Sequence, residues 1–179
     1  MTGSAALPQA GWGAIPREAP AWRDILGVAG MLLLGAWIRL PLPFTPVPVT
    51  LQTFAVLLAP FMVGPGRAMA GTGLYLSAGL AGLFSGVPVF AAASGATAGY
   101  LAGFMAVPLV VAWSRSRSWR PEAGMFLSLL LIYFLGGGWL ALFLGLSPAT
   151  AFLQGVAPFL PGDAVKLAAT AALARRLSG

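Results

Sequence analysis

The chain has 179 residues, of which 59% are hydrophobic and only 8% charged, whereas roughly a quarter of the residues in a typical soluble domain are charged. It contains neither Cys nor His, which excludes disulfides, thiol nucleophiles and the ligands that most zinc, haem and iron–sulfur sites require. The formal net charge is +6, but the arginines are scattered between apolar segments, which indicates membrane topology rather than a nucleic-acid-binding face.

Two long intervals of the chain carry no charge at all. They run from Ala68 to Ser114 and from Ala123 to Gly162. Each is long enough for two crossings of a bilayer, because one helix needs about 20 residues. We therefore expect an all-α integral membrane protein, a bundle of about six transmembrane helices.

The apolar spans follow a short polar start. Residues 1–24 contain three prolines and four charges and are predicted to be a cytoplasmic tail, while residues 25–179 form one six-helix transmembrane domain. The predicted spans, in chain order, are Ile25–Ile38, Val49–Val63, Ala68–Phe84, Thr97–Trp113, Ala123–Leu144 and an irregular region from Ala149 to Leu177.

Positively charged residues fall in alternate connections between these spans. By the positive-inside rule these connections are cytoplasmic, and so are both termini. Arg39 alone falls on the opposite side, where it either draws anions or extends its guanidinium to the interface. The residues on the cytoplasmic side are Arg17, Arg23, Arg67, Arg115, Arg117, Arg120, Arg175 and Arg176.

Two outer connections are apolar and rich in Pro or Gly. Residues 41–48 contain four prolines, which lack backbone donors and hold the chain extended. Residues 85–96 contain Gly86, Pro88 and Gly95. Semi-rigid loops of this kind can cap a pocket as well as connect helices.

Small residues recur every four positions in the fourth span. Gly99 and Gly103 form one such series, and Ala98, Ala102 and Ala106 another. This spacing lets helices approach closely in lipid, either within the bundle, which we favour, or against a partner subunit. The triple glycine at 136–138 in the fifth span indicates either a kink or a packing patch.

Asp163 is the only carboxylate within an apolar region. Pro158, Pro161 and Gly162 interrupt any preceding helix, so the last helix should begin near Asp163. Lys166 lies three residues on and shares its helix face. An ion pair near the membrane centre at an interrupted helix is a candidate substrate site. In the alternative interpretation, Asp163 only caps the start of the helix and Lys166 neutralises its charge.

Three other polar residues are weaker candidates. Gln52 and Thr53 lie near the outer start of the second span and Tyr100 near the outer start of the fourth, where such residues also serve packing or interfacial anchoring. The sequence offers no His, no Cys, no second intramembrane carboxylate and no phosphate-binding glycine pattern. Binding or transport is therefore expected rather than catalysis, with no metal and no cofactor.

Four motifs resemble the BioY family of biotin transporters, the substrate-binding S components of energy-coupling-factor (ECF) uptake systems. They occur in family order and cover most of the chain beyond residue 24. The motifs are Pro41-Leu-Pro-Phe-Thr-Pro-Val-Pro-Val-Thr-Leu-Gln-Thr53, Gly86-Val-Pro-Val-Phe90, Ala98-Gly-Tyr-Leu-Ala-Gly-Phe104 and Pro158-Phe-Leu-Pro-Gly-Asp-Ala-Val-Lys166.

The resemblance implies that residues 25–179 are a biotin-binding domain of the bacterial plasma membrane, with the pocket near the outer surface. It also implies a transmembrane coupling subunit and two ATPase subunits as partners. Asp163 and Lys166 match the family's polar pair and are expected to bind biotin. Asp163 can accept a ureido N–H, and Lys166 can donate to the ureido oxygen or pair with the valerate carboxylate. The other expected binding residues are Tyr100, Phe90, Val89, Phe44 and Gln52.

The sequence also departs from the family pattern and leaves other functions open. The segment between Phe90 and Tyr100 is shorter than the usual glycine-rich loop, and Ala98 replaces a glycine. The alternatives are an S component for another vitamin, a proton-coupled porter that titrates Asp163, and a membrane scaffold without transport activity.

Overall fold

A computed structural model of the chain describes residues 20–81 and 95–178. Within these ranges the chain is predominantly helical, which confirms the predicted class. The helices are α1 (Ala21–Trp37), α2 (Gln52–Val63), α3 (Pro65–Leu80), α4 (Ala98–Ser116), α5 (Pro121–Leu144), α6 (Pro148–Gly155) and α7 (Leu160–Ser178), and the strands are β1 (Arg39–Leu42) and β2 (Thr45–Thr50).

Of the described helices, α4 and α5 are each long and apolar enough to cross a membrane. The pair α6 and α7 meets the same requirement together, with a bend of 54° between them. The expected number of six spans stays a prediction. The first helix begins at Ala21, so the last four residues of the expected tail are helical, and residues 1–19 lie outside the described ranges.

Large apolar side chains cover the outside of α5. Leu142 is 82% exposed and Phe134 is 77% exposed. A contiguous apolar surface is rare on soluble monomers, where it lowers solubility. In a membrane, the same surface contacts lipid hydrocarbon at no cost in free energy. The outer face of α5 is therefore suited to lipid.

The proline-rich connection is a hairpin rather than a plain extended loop. Strands β1 and β2 are antiparallel, with Arg39 opposite Thr50 and an irregular register between Leu40 and Leu42. Because residues 49–50 belong to β2, the second helix begins at Gln52, three residues later than predicted. The Leu51 N–H donates to the carbonyl oxygens of residues 35 and 38, both at 3.1 Å, which joins the hairpin to the end of α1.

Glycines of α4 pack directly against α5. A Cβ atom at Gly99 would lie 2.3 Å from the carbonyl oxygen of Leu135, and one at Gly103 would lie 2.9 Å from the Cα of Ile132. Internal packing, the favoured interpretation of this glycine series, is confirmed. Ala102, in contrast, is exposed.

The triple glycine does not break α5, which continues from Pro121 to Leu144. A Cβ atom at Gly136 would lie 2.2 Å from the ring of Tyr100, while one at Gly138 would meet no atom within 4 Å. The packing interpretation therefore holds at Gly136.

The break between α6 and α7 follows from its prolines. Pro158 cannot continue α6, and Pro161 is accommodated in the first turn of α7, where a missing N–H costs nothing. The last helix thus begins at Leu160, three residues before the predicted start at Asp163. Its N-terminal turn brings Asp163 beside α5.

Candidate functional site

The hairpin, the N-terminal parts of α2, α4 and α7 and the middle of α5 surround a cavity. It contains about 710 Å³ of empty space, its open mouth included. The lining residues are Ala36, Arg39, Val47, Pro48, Thr50, Gln52, Thr53, Thr97, Tyr100, Leu101, Phe104, Ile132, Tyr133, Phe159, Asp163 and Lys166.

Asp163 lies in the wall of this cavity and is only 3% exposed. Its Oδ1 accepts a hydrogen bond from the Nζ of Lys166 at 2.7 Å, and its Oδ2 accepts one from the hydroxyl of Tyr133 at 2.8 Å. A buried carboxylate is tolerated only when it is paired and hydrogen-bonded. The predicted pairing of Asp163 with Lys166 is thereby confirmed, and each oxygen retains a lone pair for another donor.

Lys166 joins the last helix to the hairpin. Besides Asp163, its Nζ donates to the carbonyl oxygen of Thr50 at 2.7 Å. An ammonium group has three donors, so one remains for a ligand. The position of the Lys166 ammonium is thus fixed by two acceptors from two different elements.

Aromatic rings form the apolar part of the wall. Tyr100 and Phe159 meet edge to face, with their ring centroids 6.1 Å apart. The Tyr100 hydroxyl donates to the carbonyl oxygen of Gly155 at 2.6 Å, and Gly136 leaves the space that the ring occupies. The Tyr100 ring is therefore held at both its face and its hydroxyl.

Gln52 lines the cavity but is 5% exposed and has partners within the protein. Its Nε2 donates to the hydroxyl of Tyr75 at 2.8 Å, and its Oε1 accepts from the hydroxyl of Thr50 at 3.3 Å. Thr53, one residue on, also lines the cavity. The amide of Gln52 therefore ties α2 to α3 and to the end of β2.

Of the other predicted binding residues, only Phe44 is described, and it does not line this cavity. Phe44 lies in the turn of the hairpin, is 57% exposed and is not among the lining residues. Val89 and Phe90 lie outside the described residues. Of the predicted set, the structure brings together Asp163, Lys166, Tyr100 and Gln52.

Tyr133 is one of the cavity residues that the sequence did not reveal. It occurs in the middle of an apolar helix with no charged neighbour, and its partner Asp163 lies 30 residues away along the chain. The one available signal was that a buried Tyr needs a hydrogen-bond acceptor, and Asp163 is the only carboxylate in an apolar segment.

The arrangement suits a ligand with apolar faces and a hydrogen-bonding edge. The polar cluster Asp163–Lys166–Tyr133 offers both acceptors and a donor, and the rings of Tyr100 and Phe159 offer apolar contact. Among the described residues, no three His, Cys, Asp or Glu side chains are grouped as metal ligands would be.

A family model and several relatives match this chain over most of its length. The model of the BioY family matches residues 19–179. A protein of Pyrococcus horikoshii named probable biotin transporter BioY is 36% identical, over 75% of this chain and 82% of its own length. The biotin transporter BioY of Thermotoga maritima is 33% identical, over 82% of this chain and 89% of its own.

A solved structure has the same fold. It is the crystal structure of the S-component for biotin from an ECF-type ABC transporter, with a TM-score of 0.76 and 21% sequence identity, and the match covers 88% of this chain and 89% of that one. The family model covers nearly the whole chain, and the relatives agree with it along most of their length. The chain therefore belongs to the BioY family.

Proposed function

We propose that this chain binds biotin in the cavity and is the substrate-binding membrane component of a vitamin uptake transporter. The observation that carries the proposal is the hydrogen-bonded Asp163–Lys166–Tyr133 cluster in the wall of a largely apolar cavity. Membership of the BioY family and the names of its relatives give the substrate. The role is binding and transport, not catalysis.

The chemistry of biotin fits this wall. Its fused rings have apolar faces that suit Tyr100 and Phe159, and its ureido edge needs partners once water is removed. Asp163 accepts a ureido N–H through a free lone pair, and the third donor of Lys166 binds the ureido oxygen.

The direct test is retention of radiolabelled biotin by the purified full-length protein in detergent. We expect saturable binding that unlabelled biotin displaces and that riboflavin and thiamine do not. Displacement by another vitamin, with no retention of biotin, would assign the chain to a different substrate.

We also propose that partner subunits drive uptake. The sequence contains no nucleotide-binding pattern, so ATP hydrolysis must come from two ATPase subunits through a transmembrane coupling subunit. Biotin retention should then need neither ATP nor partners, whereas accumulation in cells should require them. Accumulation against a gradient by this chain alone, abolished by a protonophore, would instead support a proton-coupled porter.

Both termini are proposed to be cytoplasmic, in the bacterial plasma membrane. Ion pairs support the alternation of the helices: Asp24 near the start of α1 contacts Arg67 near the start of α3, and Glu122 in the first turn of α5 pairs with Arg175 at the end of α7 at 2.6 Å. The starts of α1 and α3 therefore share an end, as do the start of α5 and the end of α7.

Cysteine labelling tests this topology, because the chain contains no Cys. Ser118 is exposed in the turn between α4 and α5, and Ala149 is exposed at the start of α6. We expect S118C in intact cells to resist a membrane-impermeant maleimide and A149C to react. Rapid labelling of S118C from outside, with A149C protected, would reverse the orientation.

A further inference from the structure

One charged side chain at the cavity lacks the partners that the others have. Arg39 lies at the start of β1, is exposed and lines the cavity. Among the described residues, no hydrogen bond or ion pair of its guanidinium is found. Asp163 and Lys166, in contrast, are paired with each other and held by Tyr133 and Thr50.

The hairpin register places Arg39 beside the polar cluster. Arg39 is the cross-strand partner of Thr50, and directly opposite residues in an antiparallel pair are only about 4.5–5.5 Å apart. The carbonyl oxygen of Thr50 is the acceptor that holds Lys166. The β1–β2 ladder therefore sets Arg39 at the exposed rim, next to the Asp163–Lys166 pair.

The formal charges of the described residues that line the cavity do not sum to zero. Arg39 and Lys166 contribute two positive charges and Asp163 one negative charge, so the formal balance is +1. Because Lys166 is already neutralised by Asp163 at 2.7 Å, the surplus charge is that of Arg39. A ligand with a single carboxylate matches this balance.

We infer that Arg39 binds the carboxylate of the ligand's side chain at the mouth of the cavity, while the Asp163–Lys166 pair binds the ring system inside. The inference rests on the proposed function, since it takes biotin as the ligand. It assigns the valerate carboxylate to Arg39 rather than to Lys166. A guanidinium presents several donors in the planar geometry that a carboxylate accepts, and an exposed site leaves the flexible end of the ligand near water.

The test removes the charge of residue 39 and the charge of the ligand's carboxylate, separately and together. Biotin and biotin methyl ester differ at the carboxylate, and Arg39→Gln removes the guanidinium while keeping a polar side chain. In wild-type protein we expect biotin to bind about ten- to a hundredfold more tightly than the ester, since one charged hydrogen-bonded contact carries a loss of this size. In R39Q that preference should disappear, because biotin weakens while the ester keeps its wild-type affinity.

Two further variants separate a specific contact from general electrostatics. Arg176→Gln removes the same charge from an exposed position at the end of α7, outside the cavity, and should leave the preference for biotin unchanged. Arg39→Lys keeps the charge but loses the planar guanidinium with its paired N–H donors, so it should retain part of the preference for biotin over the ester. The retained affinity of R39Q for the ester also shows that the variant is folded.

The outcomes distinguish this inference from the proposed function. If wild-type protein binds biotin but R39Q keeps the full preference over the ester, Arg39 does not hold the carboxylate and only the inference fails. An equal loss of both ligands in R39Q would likewise overturn it. If wild-type protein binds neither ligand, the proposed function fails as well.

Discussion

Replacing Asp163 with Asn is expected to weaken biotin binding by one to two orders of magnitude. A hydrogen bond to a charged group contributes roughly 1.5–3 kcal/mol, and each 1.4 kcal/mol is a tenfold change in affinity. The asparagine keeps the size and one acceptor oxygen, but an NH2 group replaces one of the two oxygens that accept from Lys166 and Tyr133, so that a donor faces a donor. The measurement is equilibrium binding of radiolabelled biotin to the purified variant.

Loss of folding could imitate this result, because the single change leaves the Lys166 ammonium without its counter-ion. Removing one partner of a buried pair costs about 3–5 kcal/mol. The double variant Asp163→Asn with Lys166→Met removes both charges, and Tyr133→Phe removes one hydrogen bond to Asp163 without changing any charge. We expect the double variant to be folded and defective in binding, and Y133F to weaken binding about two- to tenfold.

A double variant as stable as the parent protein that binds biotin equally tightly would show the pair to be structural. This result is the one expected if Asp163 only caps the helix and does not contact biotin. In the structure, the described hydrogen bonds of the Asp163 carboxylate come from two side chains that line the cavity, which is why we expect the opposite result.

Replacing Gly136 with Ala is expected to lower both stability and biotin affinity. The new Cβ would lie 2.2–2.5 Å from three atoms of the Tyr100 ring. The ring cannot simply swing away, since its hydroxyl is bonded to the carbonyl oxygen of Gly155 at 2.6 Å. Overpacking of this kind costs about 1–3 kcal/mol, and any shift of Tyr100 changes the cavity wall. The measurements are the thermal midpoint in detergent and the biotin affinity.

Gly138 supplies the matched control on the same helix. A Cβ at this position meets no atom within 4 Å, and Ala has a higher helix propensity than Gly by about 1 kcal/mol. G138A should therefore be as stable as the parent protein or slightly more stable, with unchanged biotin binding. Equal effects of the two substitutions would mean that the glycines act through helix flexibility, not through packing against Tyr100.

The sequence predicted those parts of the fold that depend on local pattern. Uncharged intervals marked the helices, four-residue spacing marked the packing of Gly99 and Gly103, and the i,i+3 spacing of Asp163 and Lys166 was enough to predict their ion pair. Each of these features depends on residue spacing within one helix or on packing between two consecutive helices.

Long-range relations were harder to predict. The hairpin was missed because prolines normally argue against strand pairing, yet Pro41, Pro46 and Pro48 are accommodated in a two-stranded ladder with an irregular register, and Pro43 lies in its turn. Tyr133 was missed because an isolated Tyr in an apolar helix usually serves packing. Neither its neighbours nor the helical period indicated Asp163 as its acceptor.

The central claim is that biotin occupies the cavity between the hairpin and helices α2, α4, α5 and α7. Thr53 is partly exposed and lines this cavity, and the chain has no other thiol to react. The measurement is the rate at which purified T53C reacts with a maleimide, with and without saturating biotin, and S118C in the distant α4–α5 turn is the control. We predict that biotin slows the labelling of T53C at least tenfold, a factor corresponding to about 1.4 kcal/mol, and leaves S118C unaffected. Labelling of T53C at the same rate in both conditions, in protein that demonstrably retains biotin, would place the ligand elsewhere and contradict the account.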